Sequence, residues 1–254
     1  MARKKSSAGP ASVRLTSSGS LSQNRGSYFN SSIGKKVLMA VTGLLLLLYL
    51  VLHLAGNLLV YIGPSTYNGY GRLLIVNPLL VPVEIGLLAV FLIHIYEAVV
   101  NYVVNRQARP VPYYQSYRRL FGHGWAGKPS RKGIASTTMI VSGLIVIVFV
   151  IVHLIQFKYG PEYLTPASGG DTGIRDLYRL EIETFGNGLT VAFYVFSMIV
   201  IGLHLWHGIS SALNSLGVDY RGVTPTILRI GRVVAVIVAG GFLLIPIWVF
   251  FLRG

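Results

Sequence analysis

The chain contains no cysteine. That absence excludes iron–sulfur clusters, thioether-linked haem and disulfides from this polypeptide. Carboxylates are scarce too: eight Asp and Glu stand against 22 Lys and Arg. Charged residues make up 12% of the chain, about half the density of an ordinary soluble domain. A net charge of +14 invites nucleic acid as a partner, but the charge is not spread as a binding face. Seven cations lie in the tail through Lys36, seven in 105–132, and Arg221, Arg229 and Arg232 flank the last loop. Five fall elsewhere: Arg72, Lys158, Arg175, Arg179 and Arg253. That asymmetry is a topology signal, and the reading has no nucleic acid in it. The basic loop 105–132 is also a candidate docking surface for a partner. Residues 1–30 are rich in Ser, Gly and basic residues and lack the apolar core of a signal peptide. They read as a disordered cytoplasmic tail.

What the chain has in excess is long apolar runs. Spanning a bilayer takes about 20 mostly apolar residues. Five segments meet that length, near 36–60, 82–104, 133–157, 188–213 and 228–251. The expected class is an all-α membrane protein with five transmembrane helices, residues 31–254 forming one domain. The positive-inside rule places the N-terminus in the cytoplasm and the C-terminus outside.

Two of these segments, 100 residues apart, read alike. Met39, Val41-Thr42-Gly43-Leu44 and His53-Leu54 match Met139, Val141-Ser142-Gly143-Leu144 and His153-Leu154. The second and fourth segments match at an offset of 110, Ile93-His94-Ile95-Tyr96 against Leu203-His204-Leu205-Trp206. The first four helices therefore read as two related hairpins, with the fifth standing apart and carrying no histidine. At 1.5 Å per residue, His53 and His153 lie roughly 24 and 30 Å from the inner ends of their helices. His94 and His204 lie roughly 15–16 Å from theirs. That makes an outer level and an inner level.

Ionisable side chains inside a membrane are costly and mark function. Two histidines facing each other across a bundle can supply both axial ligands of one haem iron. Four histidines at two levels then predict two stacked b haems, the outer on His53 and His153 and the inner on His94 and His204. Thr42 and Ser142 each lie eleven residues before an outer histidine, about 20° around the same face and near the inner level. With Gly43 and Gly143 they are expected to leave room for a porphyrin, as are Gly56 and Gly208. Taken singly, each histidine also fits a satisfied core residue or a proton relay. A zinc site is disfavoured, because its ligands would gather at one level. His123 lies in a polar loop. His207, one turn after His204, competes with it for the inner ligand position or bonds a haem propionate.

Between the helices, 61–81 reads as a short aromatic loop of turn-forming residues. The outer loop 158–187 holds five of the eight carboxylates, with a surface helix expected from Asp176 to Phe185. Gly217 and Pro225 bound an inner turn, and Pro246 is expected to kink the last helix. Glu97 is the most embedded carboxylate; snorkelling, pairing with a cation and proton transfer are its open roles. Glu84, near the outer end of its helix, is either solvated at the interface or an acceptor of quinol protons.

These residues resemble the di-haem cytochrome b membrane subunit of succinate:quinone oxidoreductases and fumarate reductases. The likeness runs from about Ser32 through the fifth helix. Its markers are Ile33-Gly34-Lys35-Lys36, Met39-Ala40, Thr42-Gly43, His53-Leu54, Gly56-Asn57 and Tyr67-Asn68-Gly69-Tyr70. They continue with Gly202-Leu203-His204-Leu205-Trp206-His207-Gly208, Ser211 and Leu216-Gly217. The resemblance implies axial ligation by the four histidines, flavoprotein and iron–sulfur subunits on the cytoplasmic face, and electron passage to a quinone, commonly menaquinone. Succinate chemistry would belong to the partner subunits. Quinone candidates are Tyr61, Tyr67 and Glu84 outside, and Ser32, Lys36 and Glu97 inside. Some relatives carry a glutamate for proton transfer two residues before the fourth-helix ligand; here that position is Gly202. Two other readings stay open. One is the cytochrome b subunit of a nitrate reductase or hydrogenase. The other is a haem-free transporter with a histidine relay.

Overall fold

The computed structural model describes residues 31–107, 139–165, 173–218 and 224–253. The N-terminal tail, His123 and most of the basic loop 105–132 lie outside them. Helix α1 spans Ser32–Asn57 and continues as a 3₁₀ turn, Leu58–Tyr61. It starts four residues earlier than hydropathy predicts, because the Ser31 hydroxyl caps it by accepting from Gly34 N at 2.9 Å. Helix α2 covers Pro64–Ile75 and α3 covers Leu80–Gln107. Helix α4, Met139–His153, passes into a π turn, Leu154–Lys158. Helix α5 is Leu177–Phe185, α6 is Gly188–Ser215 and α7 is Thr224–Leu252. Among the described residues there is no strand, only an isolated bridge between Leu164 and Arg175.

Five of these helices are long and apolar enough to cross a membrane: α1, α3, α4 with its π turn, α6 and α7. The protein is an all-α, multi-pass membrane protein. Apolar side chains such as Leu48, Leu52, Leu88, Leu92, Leu144 and Leu203 turn outward, where lipid tails replace the protein core.

Helix α1 packs beside α3 and α6, and α4 packs beside α6 and more lightly against α3. The first four membrane helices thus close a square, with α1 and α4 on one diagonal and α3 and α6 on the other. The fifth does not stand apart: α7 packs along α6 more extensively than any other pair does and also reaches α1. Small residues make that seam. A Cβ on Gly202 would lie 2.9 Å from Ala239 Cβ, and one on Gly231 would lie 2.6 Å from Ile209 Cγ2. Close approach of backbones is how membrane helices associate without a hydrophobic drive. Pro246 lies inside α7, fully buried.

The expected loop 61–81 is mostly helix. Gly63 takes φ +128°, Pro64 opens α2, and Tyr67, Asn68 and Gly71 are buried. Packing against α5 overrides the weak helix propensity of Gly69 and Gly71. Asn68 staples the two helices, donating to Asp176 Oδ1 at 2.8 Å and accepting from Tyr178 N at 2.9 Å. Asp176 caps α5 by accepting from Arg179 N. Together α2 and α5 cover the end of the bundle nearer His53 and His153.

A Cβ on Gly71 would sit 2.5 Å from Leu177 Cδ1. Gly71→Val should therefore cost about 1–3 kcal/mol through overpacking, read as a lower thermal midpoint in detergent. Gly69→Ala, with nothing within 4 Å of the added carbon, should not lower it.

Candidate functional site

Across the α1–α4 diagonal, the rings of His53 and His153 lie 5.9 Å apart, centroid to centroid, with planes at 82°. Two imidazoles binding one metal from opposite sides, with metal–nitrogen bonds of about 2 Å, put their centroids roughly 6 Å apart. At that spacing the two rings could together hold one metal ion. An aromatic wall surrounds the pair. Tyr49 stacks on His53 at 5.3 Å and Phe242 of α7 leans on it at 5.6 Å. Phe149 stacks on His153 at 5.6 Å, and Phe157 meets it at 5.2 Å. The π turn that begins directly after His153 carries Phe157 and Gln156 into this shell. Such turns recur at functional sites.

His153 Nδ1 faces Tyr194 Oη at 3.4 Å, and Tyr194 donates its own proton to Gln156 Oε1 at 2.7 Å. The phenol oxygen is thus left to accept from Nδ1–H. On the other side, Asn57 Nδ2 donates to the His53 carbonyl at 2.7 Å and lies 3.4 Å from His53 Nδ1. Tyr67 Oη donates to Asn57 Oδ1 at 3.2 Å.

At the inner level each hairpin makes the same contact. Thr42 Oγ1 lies 3.2 Å from His94 Nδ1, and Ser142 Oγ lies 3.0 Å from His204 Nδ1. Each hydroxyl spends its proton on its own helix, Thr42 on Leu38 O at 2.9 Å and Ser142 on Met139 O at 3.0 Å. Only its lone pairs remain for the imidazole, so both rings carry hydrogen on Nδ1 and free Nε2 as an electron-pair donor. That is the support a metal-binding histidine needs. The ring of His94 also lies over Gly43, whose added Cβ would be 3.1 Å from His94 Cε1. The equivalent distance from Gly143 to His204 Cε1 is 3.7 Å. These glycines admit the histidine ring itself. Gly56 serves a third purpose: a Cβ there would strike Tyr70 Cε1 at 2.5 Å, whereas the space beside Gly208 is open. Of the two histidines in 202–208, it is His204 that meets Ser142; His207 is half-buried one turn beyond. Among the described residues no three His, Asp or Glu converge as a metal-chelating group.

The remaining candidates are scattered. Glu84 is held in a salt bridge by Lys158, half-exposed at the outer end of α3. Tyr67 points into the bundle cap. Lys36 is exposed at the start of α1, and Ser32 begins that helix. Tyr61 stands edge-on to Trp248 at 4.7 Å, beside an apolar groove of about 490 Å³ that also involves Leu244, Ile247 and Phe251. Glu97 is buried, and its Oε2 has no hydrogen-bond partner among the described residues.

The sequence pattern assigns no role to Asn57, Gln156, Tyr194 or Glu181. Glu181 is the largest of the fully buried side chains, 2% exposed, with Oε2 unpartnered. Burial pushes its carboxyl up to about 7, the nearby Tyr67 phenol having a smaller, lowering influence. Burial and the neighbouring Glu181 in turn push the Tyr67 phenol well above its ordinary range. The available signal was positional: Glu181 lies on the stripe of α5 that also carries the buried Leu180 and Phe185.

No protein-family model, curated protein or solved structure matches the chain.

Glu181 predicts a pH dependence of stability. Below its ordinary value of 4.5, folded and unfolded chains both hold the proton. Between 4.5 and about 7 only the folded chain keeps it, so stability falls as pH rises, by roughly 3 kcal/mol in all. Above that the penalty is constant. Thermal unfolding in detergent between about pH 5 and about pH 8 should record the loss, and Glu181→Gln should flatten it.

Proposed function

We propose that this chain is the membrane-anchor cytochrome b subunit of a succinate:quinone oxidoreductase. It would bind two b haems and pass electrons between an iron–sulfur subunit and membrane quinone. The observation that carries the reading is the pairing of the four histidines: His53 with His153 at ligand spacing on one diagonal, and His94 and His204 identically supported on the other. When bound, the haem irons would supply one-electron redox chemistry at two depths. Everything else is the work of the chain. Thr42 and Ser142 fix the inner imidazoles as Nδ1–H tautomers, Tyr194 does so for His153, and the aromatic wall keeps water from the outer pair.

The charge distribution supports a cytoplasmic N-terminus in the cell membrane. It also supports docking of the flavoprotein and iron–sulfur partners on the face that carries Lys36 and the loop 105–132. Menaquinone is the quinone this branch of the resemblance favours. Its headgroup would sit at the outer end, where Tyr61 borders the apolar groove, or at the inner end near Lys36 and Glu97. Gly202 is pressed against Ala239, so a glutamate at that position would not fit. Proton transfer by that familiar route is absent from this reading.

Two buried carboxylates with unpartnered oxygens, Glu97 and Glu181, favour one rival: a haem-free proton relay. A pyridine haemochrome assay on the purified protein separates the two. The proposal expects a low-spin bis-histidine spectrum with two haems per chain. His204→Ala or His94→Ala should remove one haem, and His53→Ala the other. Ser142→Ala should weaken retention of the inner haem about 10–100-fold, the usual cost of losing a ligand's supporting contact, and leave the outer one in place. A protein without haem would end the proposal.

A further inference from the structure

Helix α2 is held by protein along its first half only. Tyr67 bonds Asn57 of α1, Asn68 bonds α5, and Gly71 lies against Leu177. Past Gly71 the packing stops: every residue from Arg72 through Leu79 is exposed. Leu73, Leu74, Ile75, Val76 and Leu79 are 43–69% exposed. Four consecutive aliphatic residues, 73–76, go fully around one helical turn and leave no polar side to present to water. The first turn of α2 is the opposite, exposing Pro64, Ser65 and Thr66.

The backbone of the apolar stretch is closed on itself. Val76 N donates to Arg72 O at 3.0 Å, and Asn77 N to Leu74 O at 3.1 Å. Pro78 has no N–H to satisfy. Leu79 N donates to Asn77 Oδ1 at 2.9 Å, and Leu80 N to Asn77 O at 3.0 Å. Every N–H from Val76 through Leu80 thus finds its acceptor within the turn. Water does not require such closure; hydrocarbon does. The same apolar surface continues along α3 through Val81, Val83 and Ile85 to Leu88, which faces lipid. The half-exposed Glu84–Lys158 pair sits at that end of α3 and sets the depth as shallow. At a headgroup boundary charged groups stay wet while aliphatic ones reach the acyl chains.

We propose that residues 73–79 form an interfacial lipid anchor, seated between headgroups and acyl chains in the leaflet nearer His53 and His153. The connection between the first two membrane helices is then not an aqueous loop. Helix α2 is clamped by α5 at one end and by lipid at the other, which ties the cap over the His53–His153 pair to bilayer depth. Shallow burial of an apolar helix face is the usual footing of segments that lie on a membrane without crossing it. Haem plays no part in this placement, so its presence or absence leaves the anchor untouched.

The absence of cysteine makes the test direct. A nitroxide label is attached to the full chain through Val76→Cys, Ser65→Cys or Leu88→Cys. Each protein is placed in nanodiscs of phosphatidylcholine and phosphatidylglycerol, which open both faces to added reagents. Spin relaxation is read with oxygen, which concentrates in hydrocarbon, and with a nickel chelate, which stays in water. At Val76 oxygen should relax the label and the effect of the chelate should be lost, as at Leu88 but at lesser depth. At Ser65 the chelate should dominate. Leu79→Cys should repeat the Val76 result and serves if that variant does not assemble. Relaxation by the chelate at Val76 or Leu79 as strong as at Ser65 overturns the proposal and makes the turn aqueous. Protection from both reagents overturns it as well, because a protein surface, either a second copy or a partner, would then be the cover.

Discussion

An imidazole in hydrocarbon must have its N–H answered by another side chain, since no water is there to answer it. Most of this bundle is arranged around that requirement. At the inner level a hydroxyl on the neighbouring helix answers, Thr42 for His94 and Ser142 for His204. Those hydroxyls are dependable acceptors because each has already donated to its own helix. At the outer level Tyr194 answers His153, and Asn57 flanks His53. The unprotonated nitrogens then become the chemical output of the fold.

The two hairpins keep their likeness inside and lose it outside. The inner contacts are equivalent in the two halves, down to the glycine beside each histidine ring. Outside, the α1 half ends in a 3₁₀ turn and an amphipathic α2, while the α4 half ends in a π turn. The outer ends of the two hairpins are covered together by α2 and α5. Covering brings a cost: a carboxylate, Glu181, is taken out of water with it. Helix α7 closes the flank of α6 through glycine contacts and sends Phe242 against His53. It belongs to the outer site although it carries no histidine.

The membrane spans and both histidine levels were legible in the sequence, because lipid enforces length and polarity residue by residue. The repeat was legible for the same reason: Thr42-Gly43 and Ser142-Gly143 stand at fixed helical spacing from His53 and His153. The task expected of those residues was room for a porphyrin; the structure adds that each pair seats and orients a histidine of the adjoining helix. A face of a helix can be read from spacing; the partner on that face cannot. Helix α2 was misread for a similar reason. Its glycines speak locally for a loop, and only the docking of α5 over Gly71 makes a helix the lower-energy state.

By itself, the sequence determined the class, the number of helices long and apolar enough to cross a membrane and the position of each histidine along its helix, since hydropathy and helical rise are local quantities. Tertiary structure decided which diagonal each pair occupies, which hydroxyl orients which ring, and that Glu84 is neutralised by Lys158. It also decided that Glu181 is buried, whereas Glu162, Asp176 and Glu183 of the same segment are not. Burial and hydrogen-bond direction depend on what comes to lie opposite a residue, and in this chain the partners are often dozens of residues away, as Ser142 is from His204.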